Sequence, residues 1–137
     1  MLTRMAVAAG AALLGAGALA IPASAAPAAP AGTSSYQEFR DIGGGSTQFH
    51  STRSHYAGRD AQTCILATGY DSSAWNLGYN FSLRADPSHR KLWESPTYHG
   101  DHQRCSPWVN YRGKAYTRVT TYEYSHLKSA KVWDYRN

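Results

Sequence analysis

Two histidines and an aspartate fall within four positions at His99-Gly-Asp-His102, and Arg104 and Cys105 close the same stretch. Imidazole nitrogens and a carboxylate are zinc ligands; within reach of a substrate the same groups exchange protons. A zinc site needs three or four such groups converging on one point, which this run supplies only if its loop folds around the ion. His50 and His55, in HSTRSH, would enrich the set, yet no spacing draws them toward the loop. The residues favour a polar, solvated approach to Cys105, with no metal and no cofactor.

General acid–base chemistry on a phosphate ester needs a carboxylate, a cation and a histidine on one sheet. Glu94, Arg104 or Arg118, and His102 would fill those roles in a small secreted ribonuclease-like hydrolase. Enzymes of that kind carry a helical first half, and no window of this chain sustains a helical period. Ser125-His-Leu-Lys128 has the Ser-x-x-Lys spacing of a penicillin-binding nucleophile but none of the companion motifs. The expectation is a protein that is not an enzyme.

The elements that would position these residues follow from composition. Residues 5–21 are apolar, Arg4 is the only charge before them, and Ala23-Ser-Ala25 has the small-x-small form a signal peptidase reads. Residues 1–25 are therefore expected to be a secretory leader and not a membrane anchor. Removing 25 of the 137 residues leaves 112, enough for one domain. The formal net charge of +5 becomes +4 without Arg4, and Arg90-Lys91 is the only adjacent basic pair. Charge so dispersed argues against a nucleic-acid surface, which concentrates Lys and Arg on one face. Cys64 and Cys105 are the only cysteines, and in an oxidising compartment they should form one disulfide. It would close a loop of about 40 residues, worth roughly 4 kcal/mol through lost chain entropy.

After the leader, residues 26–46 read as a flexible arm: APAAPAGTSS has nothing to bury, and GGGST follows the apolar-bearing segment SYQEFRDI (35–42). That segment, with Tyr36, Phe39 and Ile42, can dock on its own domain as an edge strand or on another protein. Residues 47–137 read as a β-domain. Trp75, Leu77, Tyr79, Phe81 and Leu83 alternate with mostly polar neighbours, predicting one long strand over 75–85. Further strands are predicted at 64–70, 104–111, 114–125 and 129–136, with Pro107 confining its strand to an edge or a strand start and SHLK (125–128) as a hairpin connection. The fold class is all-β: a small antiparallel sandwich or barrel with one disulfide. In the strand after Lys114, Tyr116, Arg118, Tyr122 and Tyr124 lie opposite Ala115, Val119 and Thr121, and either face could be the inner one.

Ten tyrosines, four tryptophans and three phenylalanines are many for this length; some must fill the core, aliphatic residues being few, and any left exposed are, with Arg, the residues interfaces enrich. The expected contact residues are Tyr36, Phe39, Ile42, His99, His102, Arg104, Trp108, Tyr116, Arg118 and Tyr122. The leader, the arm bearing SYQEFRDI and the disulfide-bonded domain with CSPWVNYRGKAYTRV together resemble, in layout, the small adaptor subunit of streptomycete umbrella toxin particles. That resemblance implies a secreted binding protein in which one part docks on a large scaffold subunit while another plugs a cleft in a lectin-bearing subunit. Its partners would be other secreted proteins, neither nucleic acid nor membrane, and its role antagonism of competing bacteria. A secreted protease or glycosidase inhibitor is the alternative, presenting the segment 86–104 as a loop with Arg90-Lys91 as anchor.

Overall fold

The computed structural model describes Thr33–Asn137 apart from Ala74; the leader and residues 26–32 of the arm lie outside the described residues. Eleven strands form, the central ones buried on both faces along much of their length. They are β1 (Thr33–Gly43), β2 (Gln48–Ser51), β3 (His55–Ala57), β4 (Asp60–Thr68), β5 (Asp71–Ser72), β6 (Tyr79–Asp86), β7 (Lys91–Glu94), β8 (His102–Cys105), β9 (Val109–Asn110), β10 (Gly113–Thr121) and β11 (Ser125–Arg136). One antiparallel sheet runs β1–β11–β4, with β8 and β9 in line on the far edge of β4 and β5 extending β4 along β11. The other runs β7–β6–β10, with β2 and β3 in line on the far edge of β10. Among the described residues no helix is long and apolar enough to cross a membrane.

The core lies between the two sheets. Ile42, Ile65, Ala67, Leu127, Ala130 and Val132 from the first meet Tyr79, Phe81 and Val119 from the second, with Trp93 edge-on to Phe81 at 5.2 Å. Each large side chain sealed in this layer is worth about 1.5–3 kcal/mol. The predicted disulfide is present. Cys64 and Cys105 face each other across β4 and β8, so the bridge staples neighbours within one sheet. Pro107 falls in the gap between β8 and β9, on an edge where its missing N–H is tolerated.

Four expectations are corrected. The strand predicted over 75–85 begins at Tyr79: Gly78 turns the chain at φ 90°, and Trp75 and Leu77, 70% and 43% exposed, lie before it. The last hairpin turns at Tyr122–Tyr124, closed by Ser125 N–H donating to Tyr122 O at 3.0 Å, so Ser125–Lys128 is strand and not connection. Tyr124 takes φ 66° there, a conformation that bulky side chains enter at a cost and that local sequence did not signal. The flexible arm expected over 26–46 is shorter: SYQEFRDI takes the first of its two expected dockings, on its own domain, where β1 is an edge strand paired with β11 from Arg136↔Thr33 to His126↔Gly43. Gly43 secures this join, because its φ is 90° and a Cβ there would lie 2.1 Å from Ser125 O. Segment 86–104 is no single loop either; it contains β7, the Tyr98–Tyr79 bridge and the start of β8.

The choice between the two faces of β10 is also settled. Ala115, Thr117, Val119 and Thr121 point inward, and Tyr116 and Arg118 lie on the outer side. A carboxyl group explains why threonines fit inside. Asp134 of β11, 8% exposed, accepts from Thr52 Oγ1 at 2.8 Å and from the Thr117 hydroxyl, which shares a 2.7 Å hydrogen bond with Thr63. Thr52 Oγ1 in turn accepts from Thr117 N–H at 2.9 Å. The network joins both sheets and the β2–β3 corner. Burial pushes the Asp134 carboxyl above its ordinary value of 3.8, outweighing the hydroxyls that favour the anion.

A carboxyl raised in the folded state contributes most to stability where it is protonated in both states, and that contribution is lost as pH rises through its folded value. The unfolding free energy of the wild type relative to Asp134→Asn should therefore fall with rising pH above 3.8, by up to about 1.4 kcal/mol per unit. Urea melts across pH would check this, and parallel curves for the two proteins would refute it.

Candidate functional site

The His99–His102 run is a structural clasp. Asp101 Oδ1 accepts the Tyr70 N–H at 2.9 Å and Gly100 O accepts the Tyr79 hydroxyl at 2.6 Å, binding the turn after β4 and the start of β6 to this segment. The His102 ring stacks 4.1 Å from Tyr98, and the Arg104 guanidinium carbon lies 5.9 Å from the same ring. His99 is exposed. His50 bonds Gln48 at 2.9 Å and packs on Phe39, while His55 sits by Ala61 and Gln62, at the end of β4 opposite His102. Burial, with Arg136 and Arg53 nearby, holds the His55 imidazole below its usual range against the pull of Asp134. Among the described residues no three His, Cys, Asp or Glu side chains converge as a metal site.

The acid–base set is not brought together. Glu94 belongs to β7 and bonds Lys91 at 2.8 Å and Asn80 at 3.2 Å, and the Lys91 hydrogen bond holds its carboxyl below the usual range. His102 and Arg104 are on β8 in the other sheet, and Arg118 is on β10.

The expected contact residues divide into three places. On β1, Tyr36 is exposed beside Trp133 at 5.3 Å, Phe39 packs on the core, and Ile42 is 3% exposed within it. On the edge of the first sheet are His99, His102, Arg104 and the half-buried Trp108. On β10 are Tyr116 and Arg118, with the half-buried Tyr122 at its end. Two corrections follow: Ile42 lies in the core, and Tyr116, 5% exposed, is covered by His89, so neither presents a surface.

The outer face of the second sheet gathers what remains. Strand parity places Lys114, Tyr116, Arg118 and Thr120 outward on β10, and Asp86, Arg84, Ser82 and Asn80 beside them on β6. On the neighbouring edge the same parity turns out Ser51, Phe49 and Tyr56. Phe49 is 60% and Tyr56 57% exposed. The Arg118 guanidinium carbon lies 4.9 Å over the Phe49 ring, and Arg112 Nε donates to Tyr56 Oη at 3.3 Å. Between them an open concavity of about 240 Å³ is lined by Ser51, Thr52, Ser54, Asp86, His89, Tyr116 and Arg118. Its walls are tied internally: Ser54 donates to Asp86 at 2.7 Å, and His89 Nδ1 bonds Tyr116 Oη at 2.8 Å.

Phe49, Tyr56, Ser54, Asp86 and His89 were not among the residues singled out from sequence. The available signal was an isolated aromatic amid polar neighbours, as at Phe49 and Tyr56, in a region otherwise reading as strand. The chain matches no protein-family model and no curated protein.

Exposure separates the roles of these aromatics. Phe49→Ala and Tyr56→Ala should each change the unfolding free energy by no more than about 1 kcal/mol. Tyr116→Ala, which empties a buried position, should cost roughly 3 kcal/mol. Chemical denaturation of the three variants tests this ordering.

Proposed function

We propose that the chain is a secreted, non-enzymatic binding domain that grips another secreted protein through the outer face of its second sheet. One observation carries the reading: Phe49 and Tyr56 stand mostly in solvent on two strands in line along one edge of β10, each with an arginine in contact. Large aromatics held on a rigid sheet bring contact area at little entropy cost, and paired arginines add directional hydrogen bonds. The cross-strand Cys64–Cys105 bridge is compatible with an extracellular location.

The finer reading is the adaptor role implied by the layout resemblance to umbrella toxin particles, linking two secreted subunits in an antibacterial complex. The integral position of β1 changes how that role is tested. A deletion reaching residue 46 would remove a strand of the domain, so the arm alone is probed by deleting residues 26–32.

Affinity capture of the tagged chain from culture supernatant, followed by mass spectrometry, tests both levels. A defined secreted partner should be recovered with the wild type and lost at least tenfold with the Phe49→Ala/Tyr56→Ala pair. Recovery unaffected by the pair would overturn the assignment of this face. An adaptor should lose one of two partners on deletion of 26–32 and keep the other; a single partner retained in full would refute the adaptor role.

A further inference from the structure

We propose that the concavity beside Phe49 is a carboxylate-recognition site that takes one aspartate or glutamate side chain of the protein partner, with Arg118 as the binding group. This rests on the contact face described above and names the chemistry it reads. Apart from the Ser51 hydroxyl, the polar groups around the concavity are largely matched to one another. Ser54 is paired with Asp86 and His89 with Tyr116, while Arg84 donates to Ser82 Oγ and to His89 O, both at 3.0 Å. Arg118 is the exception. Its Nε is buried with no hydrogen-bond partner, and among the described residues it enters none of the ion pairs. A buried donor left unmet costs free energy, which is recovered when a small shift of the side chain lets an arriving acceptor meet it.

Geometry selects the acceptor. A guanidinium laid over an aromatic ring keeps its N–H fork at the rim of the stack, the arrangement that meets a planar carboxylate with two parallel hydrogen bonds. At about 240 Å³ and open to solvent, the concavity falls short of the roughly 300–1,000 Å³ that encloses a free small molecule, and suits one side chain of a larger partner. Charge argues the same way. Asp86 in the lining is bonded to Ser54, and Lys114, Arg84 and Arg118 share its outward face, so these groups leave net positive charge for an arriving carboxylate. A nucleic-acid backbone needs cations in succession; here Arg84 is engaged within the face, Lys91 is paired with Glu94 and Arg112 is bonded to Tyr56, which leaves Arg118 and Lys114.

The test follows the Arg118 Nε–H and the backbone amides of Ser51 and Ser54 by NMR while the purified chain is titrated with a capped tri-glutamate peptide. Its tri-glutamine counterpart and an oligo-dT strand serve as comparisons. Saturable shifts at those three positions with tri-glutamate, absent with tri-glutamine, and at least tenfold weaker binding by Arg118→Gln are the expected result. Equal response to tri-glutamine, unchanged affinity in Arg118→Gln, or a stronger response to oligo-dT at the same residues would each overturn the site. Should Arg118→Gln fail to fold, the Nε–H titration of the unaltered protein decides the matter. Partner capture that ignores Phe49→Ala/Tyr56→Ala while tri-glutamate still binds would defeat the contact face alone. Capture that needs those aromatics without any tri-glutamate response at Arg118 would defeat the carboxylate site alone.

Discussion

A carboxyl sealed between two sheets must be met by hydrogen-bond donors, and much of this architecture is arranged around that need at Asp134. Left alone, a carboxylate at this depth would carry a desolvation cost of several kcal/mol. Thr52, Thr117 and Thr63 reach it from the β2–β3 corner, from β10 and from β4, so one buried group ties together elements up to 82 positions apart. Most of the inter-sheet layer is apolar and tolerant of sliding, since alkyl contacts have no direction. The Asp134 network is directional, and it fixes where the β2–β3 corner sits relative to β10.

That placement has a consequence on the outside of the molecule. Thr52 lies between Ser51, which ends β2, and Ser54, which bonds Asp86 across the concavity. The side chain that faces inward to Asp134 thereby sets the edge from which Phe49, Ser51 and Ser54 project. Interior satisfaction and exterior shape are two faces of one corner. The opposite end is organised differently: the Tyr79–Tyr98–His102 ring contacts and the Asp101 and Gly100 hydrogen bonds hold the run ahead of Cys105 against the start of β6. His102 and Asp101, close in sequence, thus serve as a brace.

Sequence patterns revealed the strands where period and environment agree. Val119, Phe81 and Leu83 sit in true alternation and are buried as their spacing requires. The same pattern misled at Trp75 and Leu77, because alternation is a statement about residue types and cannot see the backbone turn that Gly78 makes at φ 90°. The last turn was misplaced for a related reason. Tyr122-Glu-Tyr124 contains neither Gly nor Pro, and its conformation is held by a hydrogen bond from Tyr124 N–H to Gly45 O, distant in sequence. Of the candidate face, Tyr116 and Arg118 were visible as neighbours on one strand. Ser54, Asp86 and His89 were not, since Ser54 precedes β3 while Asp86 and His89 belong to the end of β6 and its turn, with no motif linking the two segments.

Composition and spacing alone determined that this chain folds as β-structure and that its two cysteines pair, because each depends on properties carried by the residue or its immediate neighbours. Tertiary structure decided which side of β10 faces in, whether the segment at Tyr36–Ile42 stays with its own domain, and which polar groups meet. Those outcomes depend on long-range register: a strand can bury either face until a partner sheet supplies the side chains that fill it, and here Asp134 opposite Thr117 chose the threonine side.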